Sequence, residues 1–207
     1  MQNAVEPKKI QAIKEWLGAG SINIFGMQLS GKDTQGQLLA DFLGAPVIGG
    51  GEILRSNPIS PEVQHALDNG LYIDSEEYVE IIKPYFAQER FVNKPLVLSS
   101  VGRSLGEEGP VMQAAKLSKH PLKAAILLQI DEADAYKRLS TAHRKRDDDY
   151  TENVKSRINE FKTKTLPVVD VYRNLGLLIE INGRHSSELV HESIVEALYK
   201  RALAERS

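Results

Sequence analysis

At 207 residues, with 42% hydrophobic and 26% charged side chains, the chain has the composition of one globular domain, which excludes disordered, collagen-like and fibrous classes. Its formal charge is −2, with 26 Lys+Arg against 28 Asp+Glu, so nothing global points to nucleic acid or an anionic membrane and any cationic site must be local. The absence of cysteine excludes disulfides, thiolate catalysis and Cys-based metal centres; a polar Met1–Lys9 and no long apolar run predict neither signal peptide nor membrane span, hence a soluble, cytoplasmic chain.

Lys8–Leu17 carries Ile10, Ile13, Trp16 and Leu17 at helical spacing, and Gly18 and Gly20 stop it. Ser21–Phe25 reads as a short apolar strand, followed by a glycine-containing turn and a helix over Lys32–Leu43. Pro46–Ile48 reads as a second strand leading into Gly49-Gly-Gly-Glu-Ile-Leu-Arg55. Pro61–Asn69 and Ser75–Gln88 are predicted helices, with Gly70 as a C-cap between them. Leu96–Leu98 is a strand candidate and Val111–Lys119 a helix. Ala124–Ile130 is continuous, apolar and of strand length, the mark of a strand buried on both faces.

Asp131 stands at the N-cap of a helix reaching about Ala142. Arg144–Asp149 is a dense charge run. A long helix follows over Thr151–Asn174, bent near Pro167. Leu177–Ile181 and Ser187–Ala204 close the chain as strand and amphipathic helix. Strands alternating with helices predict an α/β fold in which one parallel sheet is covered on both faces.

The sharpest signal is Gly26-Met-Gln-Leu29-Ser30-Gly31-Lys32-Asp33-Thr34-Gln35, set after the first strand and opening a helix. Glycines let the backbone wrap closely and turn N–H groups inward, the helix N-terminus adds positive potential, and Lys32 brings a mobile charge for phosphates. A ligand-free strand–helix turn explains the glycines but not the Lys. The general motif has Ser or Thr directly after the Lys, where Asp33 stands here. A first-turn acid gains under about 1 kcal/mol from the helix dipole. A carboxylate about 5 Å from a phosphate charge costs roughly 3 kcal/mol at an effective dielectric of 20. Repulsion wins unless a metal lies between them, so Asp33 is expected to help hold magnesium.

With the Gly–acid–Leu-Arg segment, an Arg-containing loop after a strand and Arg146-Asp147-Asp148-Asp149, this order resembles the adenylate kinase family of nucleoside monophosphate kinases. The likeness runs from Ser21 to about Leu198. It implies a three-layer phosphate-loop fold with a five-stranded parallel sheet, a single domain over 1–207, a helical monophosphate-binding region near 50–80 and a short lid near 140–149. It also implies phosphoryl transfer from ATP to AMP with Mg2+, by a monomer with small-molecule partners only.

Residue by residue, the resemblance assigns Gly26, Leu29, Ser30, Gly31, Lys32, Asp33 and Thr34 to the donor phosphates and Arg138 to stacking on the donor base. It assigns Arg55 and Arg103 to the acceptor phosphate, a role a bidentate guanidinium suits better than an ammonium. Gly50 and Ile73 fall near the acceptor base, and Gln113 is expected to read the base edge across the extra stretch Leu105–Pro110. Arg146 and Arg157, with Arg144 as substitute for Arg146, surround the transferring group. Two positions depart from the family: Gly50 replaces a Thr, and Ser99 replaces the Asp that anchors magnesium. A hydroxyl cannot replace a carboxylate for a hard cation. Either Asp33 compensates from across the loop, or transfer is weakened. A UMP/CMP or other nucleotide kinase, a small-molecule kinase and a non-catalytic nucleotide-binding protein are the rival readings. The histidines, His65, His120, His143, His185 and His191, show no metal-ligand spacing.

Overall fold

The computed structural model describes residues 7–56, 59–69, 75–141 and 151–205, with the side chains of 54, 55, 66–69, 75, 76, 151 and 152 outside that description. Helix α1 spans Pro7–Leu17, strand β1 Ser21–Gly26 and helix α2 Lys32–Leu43. Then come β2 (Val47–Gly49), α3 (Gly50–Ser56), α4 (Pro61–Asn69), α5 (Ser75–Phe86) and, after a 3-10 turn at Glu89–Phe91, β3 (Leu96–Ser99). The second half carries α6 (Glu108–Leu117), β4 (Leu122–Gln129), α7 (Glu132–Thr141), α8 (Thr151–Glu160), α9 (Leu166–Asn174), β5 (Leu178–Asn182) and α10 (Ser187–Ala204).

The five strands form one parallel sheet in the order β2-β3-β1-β4-β5. Strand alternation splits the core. On β1, Ile22 and Ile24 join Ala124, Ile126 and Leu128 of β4 beneath α1, α2 and α10. Phe25, with Ala125 and Leu127, faces the other way onto α8 and α9, where Val154, Ile158, Val168 and Tyr172 pack. Leu96 and Leu98 of β3 extend that second face toward α5 and α6 through Ile82, Tyr85, Phe86 and Val111. Both faces are covered, which is why β4 reads as an unbroken apolar run.

Most predicted elements are present within a residue or two. Asp131 caps α7 as expected, its Oδ1 accepting from the Asp134 amide at 2.8 Å. Helix α6 begins at Glu108 rather than Val111, because Pro110 sits in the first turn, where a missing N–H costs nothing. The predicted bend near Pro167 is a π-helical stretch, Phe161–Thr165, immediately before it. Proline has no amide for the carbonyl four residues back, and the preceding Leu166 amide reaches Phe161 O instead, leaving one wide turn. The expected C-cap at Gly70, and Tyr72, Ile73, His143, Arg144 and Arg146 through Asp149, lie outside the described residues.

The chain builds β1, β2 and β3 on one side and then crosses β1 to lay down β4 and β5. Loops leaving β1, β3 and β4 therefore diverge at the carboxyl edge on either side of β1. In open α/β sheets that divergence opens a crevice for ligands.

Candidate active site

The loop after β1 has the backbone its glycines foreshadow. Gly31 caps α2 at φ 92°, and Leu29 holds φ 65°, a left-handed conformation few residues with a side chain adopt. A turn closes through Ser30 N to Met27 O at 3.1 Å, and Gln35 N reaches Gly31 O at 2.9 Å. Gly26 tolerates no larger residue: a Cβ there would lie 2.3 Å from Ser30 Oγ. That hydroxyl is buried, with the residue 3% exposed, and has no hydrogen-bond partner among the described residues. Lys32 and Asp33 occupy the first turn of α2, Asp33 exposed.

Three further segments meet this loop. Ser99, the last residue of β3, donates its hydroxyl to Asp33 Oδ1 at 3.2 Å, so the residue that replaces the family's Asp touches the acid that follows Lys32. Arg138 of α7 donates Nη1 to Leu29 O at 2.9 Å and Nη2 to Gly183 O at 2.5 Å, clasping the loop to the turn after β5. In that turn Arg184 bridges to Asp131 at 2.6 Å and Asp134 at 2.7 Å. Gln35 Nε2 reaches Ser187 O at 2.8 Å, fixing α2 against the start of α10.

Arg103 lies on the loop after β3, exposed. Its stem is pinned to the central strand by Asn23, fully buried on β1, whose Nδ2 donates to Val101 O at 2.7 Å and whose Oδ1 accepts from Val101 N at 3.3 Å. Ser100 N adds a bond to Ile24 O at 3.0 Å. Gly50 opens α3 against the same stem, its Cβ position 3.5 Å from Ser100 O. The backbone of Arg55 closes α3, while its side chain lies outside the described residues. Glu52 accepts from Tyr85 OH, which also accepts from Arg90 at 2.9 Å. Burial, reinforced by Glu52, pushes the Tyr85 hydroxyl up to about 12. Gln113 is exposed midway along α6 and Arg157 exposed on α8.

Sequence reasoning passed over Asn23 and Glu107. The signal for Asn23 was a polar residue in the strand Ser-Ile-Asn-Ile-Phe, which sheet burial tolerates only when both amide functions are satisfied.

A glycine turn leaving the central strand of a five-stranded parallel sheet, with a Lys at the head of the next helix, is the architecture of the phosphate-loop α/β class. No protein-family model matches the chain. Curated relatives do match. It is 27% identical to the adenylate kinase of Chlamydia pneumoniae across 86% of this chain and 96% of that protein. To the adenylate kinase of Clavibacter michiganensis subsp. michiganensis it is 29% identical across 87% and 93%. To that of Methanosarcina barkeri it is 26% identical across 88% and 100%. These matches, which span most of this chain and nearly all of each relative, support a likeness to the adenylate kinase family.

Proposed function

We propose that the protein is a nucleoside monophosphate kinase that moves the terminal phosphoryl group of ATP to AMP, giving two ADP. The relatives named adenylate kinase support a phosphotransferase. The observation that carries the finer reading is the double amide bond from Asn23 to Val101, which holds the Arg103 loop beside the strand that ends in the phosphate loop. Donor and acceptor sites then share one rigid stem, and phosphoryl transfer depends chiefly on such alignment and on charge neutralisation.

In this reading Lys32 and the loop amides hold the donor phosphates, and Arg138 lies against the donor base. Arg55 and Arg103 hold the acceptor phosphate. Arg146 and Arg157, with Arg144 in reserve, surround the transferring group, and closure over the site excludes water. Gly50, Ile73 and Gln113 face the acceptor base. We assign 50–80 to the acceptor-binding region and 140–149 to the lid.

The residues present also fit a magnesium ion brought by ATP. Among the described residues no group of three or more His, Asp or Glu could hold a metal unaided. Magnesium usually keeps several waters and takes only one or two carboxylates beside substrate phosphates. Asp33 supplies one such carboxylate, oriented by Ser99. When bound, the ion would neutralise negative charge on the donor phosphates.

Ser99 in the family's Asp position favours one second reading, a nucleotide-binding protein with weakened transfer. A coupled assay with ATP and magnesium across AMP, CMP, UMP, GMP and dTMP decides. Turnover greatest with AMP is the expected result. Turnover greatest with another acceptor reassigns the substrate, and ATP binding without turnover on any acceptor favours the second reading. No helix among the described residues is long and apolar enough to cross a membrane, and we place the chain in the cytoplasm as a monomer.

A further inference from the structure

Between Arg103 and α6 lies a carboxylate with an unusual set of partners. Glu107 immediately precedes α6 and makes no side-chain cap bond to it. It turns back instead. Its Oε2 accepts from the Ser104 amide at 3.2 Å, the Arg103 amide also donates to the carboxylate, and the Tyr78 hydroxyl approaches at 3.4 Å. Tyr78 belongs to α5 and is buried, so the contact joins the Arg103 loop to the helical region proposed to hold the acceptor. The Arg103 charge acts on the same carboxylate and favours its ionised form, as do the three donors. Burial works against them and raises the Glu107 carboxyl above its ordinary range. A half-buried acid held against that cost, and not used to cap its helix, calls for another task.

We infer that Glu107 is a positioning residue for Arg103, its carboxylate clamping the Arg103–Ser104 backbone and tying it through Tyr78 to α5. The inference rests on the kinase reading above, because its consequence is an acceptor-phosphate arginine presented at a fixed height. Loss of the clamp releases the loop beyond Val101, where the Asn23 bonds end. The donor side, built from α2 and α7, is untouched.

The test combines kinetics with amide hydrogen exchange on the intact protein. Glu107→Ala is expected to raise KM for the nucleoside monophosphate about tenfold and to leave KM for ATP within about twofold, the scale of one lost charged hydrogen-bond set. Glu107→Gln, which keeps an oxygen acceptor, recovers most of the loss. In an Arg103→Ala background Glu107→Ala adds nothing further, because a residue acting through Arg103 has nothing left to position. Tyr78→Phe, which removes only the hydroxyl, gives a smaller rise of the same kind and serves if Glu107→Ala fails to fold. The Arg103 and Ser104 amides exchange faster in Glu107→Ala than in the unaltered chain. Equal increases in both KM values, full additivity with Arg103→Ala, or unchanged exchange at these amides would each overturn the proposal. An unaltered protein that phosphorylates no nucleoside monophosphate sinks the kinase reading, and the exchange measurement still decides the clamp.

Discussion

A single hydrogen atom at Gly26 separates a workable loop from a collision. A methyl group there meets Ser30 Oγ at 2.3 Å, and the loop that would have to yield already holds Leu29 and Gly31 at positive φ. Gly26→Ala should therefore cost about 1–3 kcal/mol, the usual penalty of overpacking, read as a fall in Tm together with weaker ATP binding. Asp33 and Ser99 argue from charge in place of volume. Their contact sets the only acid of the loop, which stands where the general motif has Ser or Thr, against the hydroxyl that replaces the family's Asp. Without metal the Asp33 carboxylate opposes ATP, so Asp33→Gly should bind metal-free ATP severalfold more tightly and lose the gain that magnesium brings. Returning the charge to the strand, in Asp33→Gly with Ser99→Asp, should restore that gain. Calorimetric titration with ATP, with and without magnesium, checks both; a magnesium gain that survives Asp33→Gly shows that the charge has no part in holding the ion.

At the scale of elements, α10 carries a pH-sensitive group. His191 packs edge-on to Phe42 of α2 at 5.9 Å between ring centres, and its Nδ1 has no hydrogen-bond partner among the described residues. Burial holds its imidazolium below the ordinary histidine range. The unfolded chain then binds the proton more readily than the folded one. Stability is fully present at neutral pH and falls as pH drops below about 6.5 toward the lowered folded value. Thermal melts between pH 7.5 and 5 should show that loss, and His191→Phe should flatten it; an unchanged slope in the variant removes His191 from the account. Elements of this kind were legible because their patterns were local. The α2 and α10 limits follow from glycine and serine punctuation, and β4 from its apolar run. The π-helical turn was not, since Pro167 announces a lost hydrogen bond without saying whether the helix will break, bend or widen.

For the whole molecule, the layered α/β architecture was readable from alternation, but the strand order was not, because nothing in a short apolar segment names its neighbours. The candidate site divides the same way. The glycine loop and Lys32 announced themselves by spacing, and Arg55, Arg103 and Arg157 came through the family resemblance. Asn23 and Glu107 act on backbone atoms brought near only by the fold, so their part was invisible until Val101, Ser104 and Tyr78 were in place. The clasp made by Arg138 shows what such long-range placement achieves. A guanidinium is a flat group that spends its N–H bonds in its own plane and keeps both broad surfaces for stacking. Because Leu29 O and Gly183 O take two of those in-plane bonds, the tilt of the plate is set by main chain from opposite ends of the sequence. A purine laid on it would find a shelf already level, and the arginine would have no bond to surrender in receiving it.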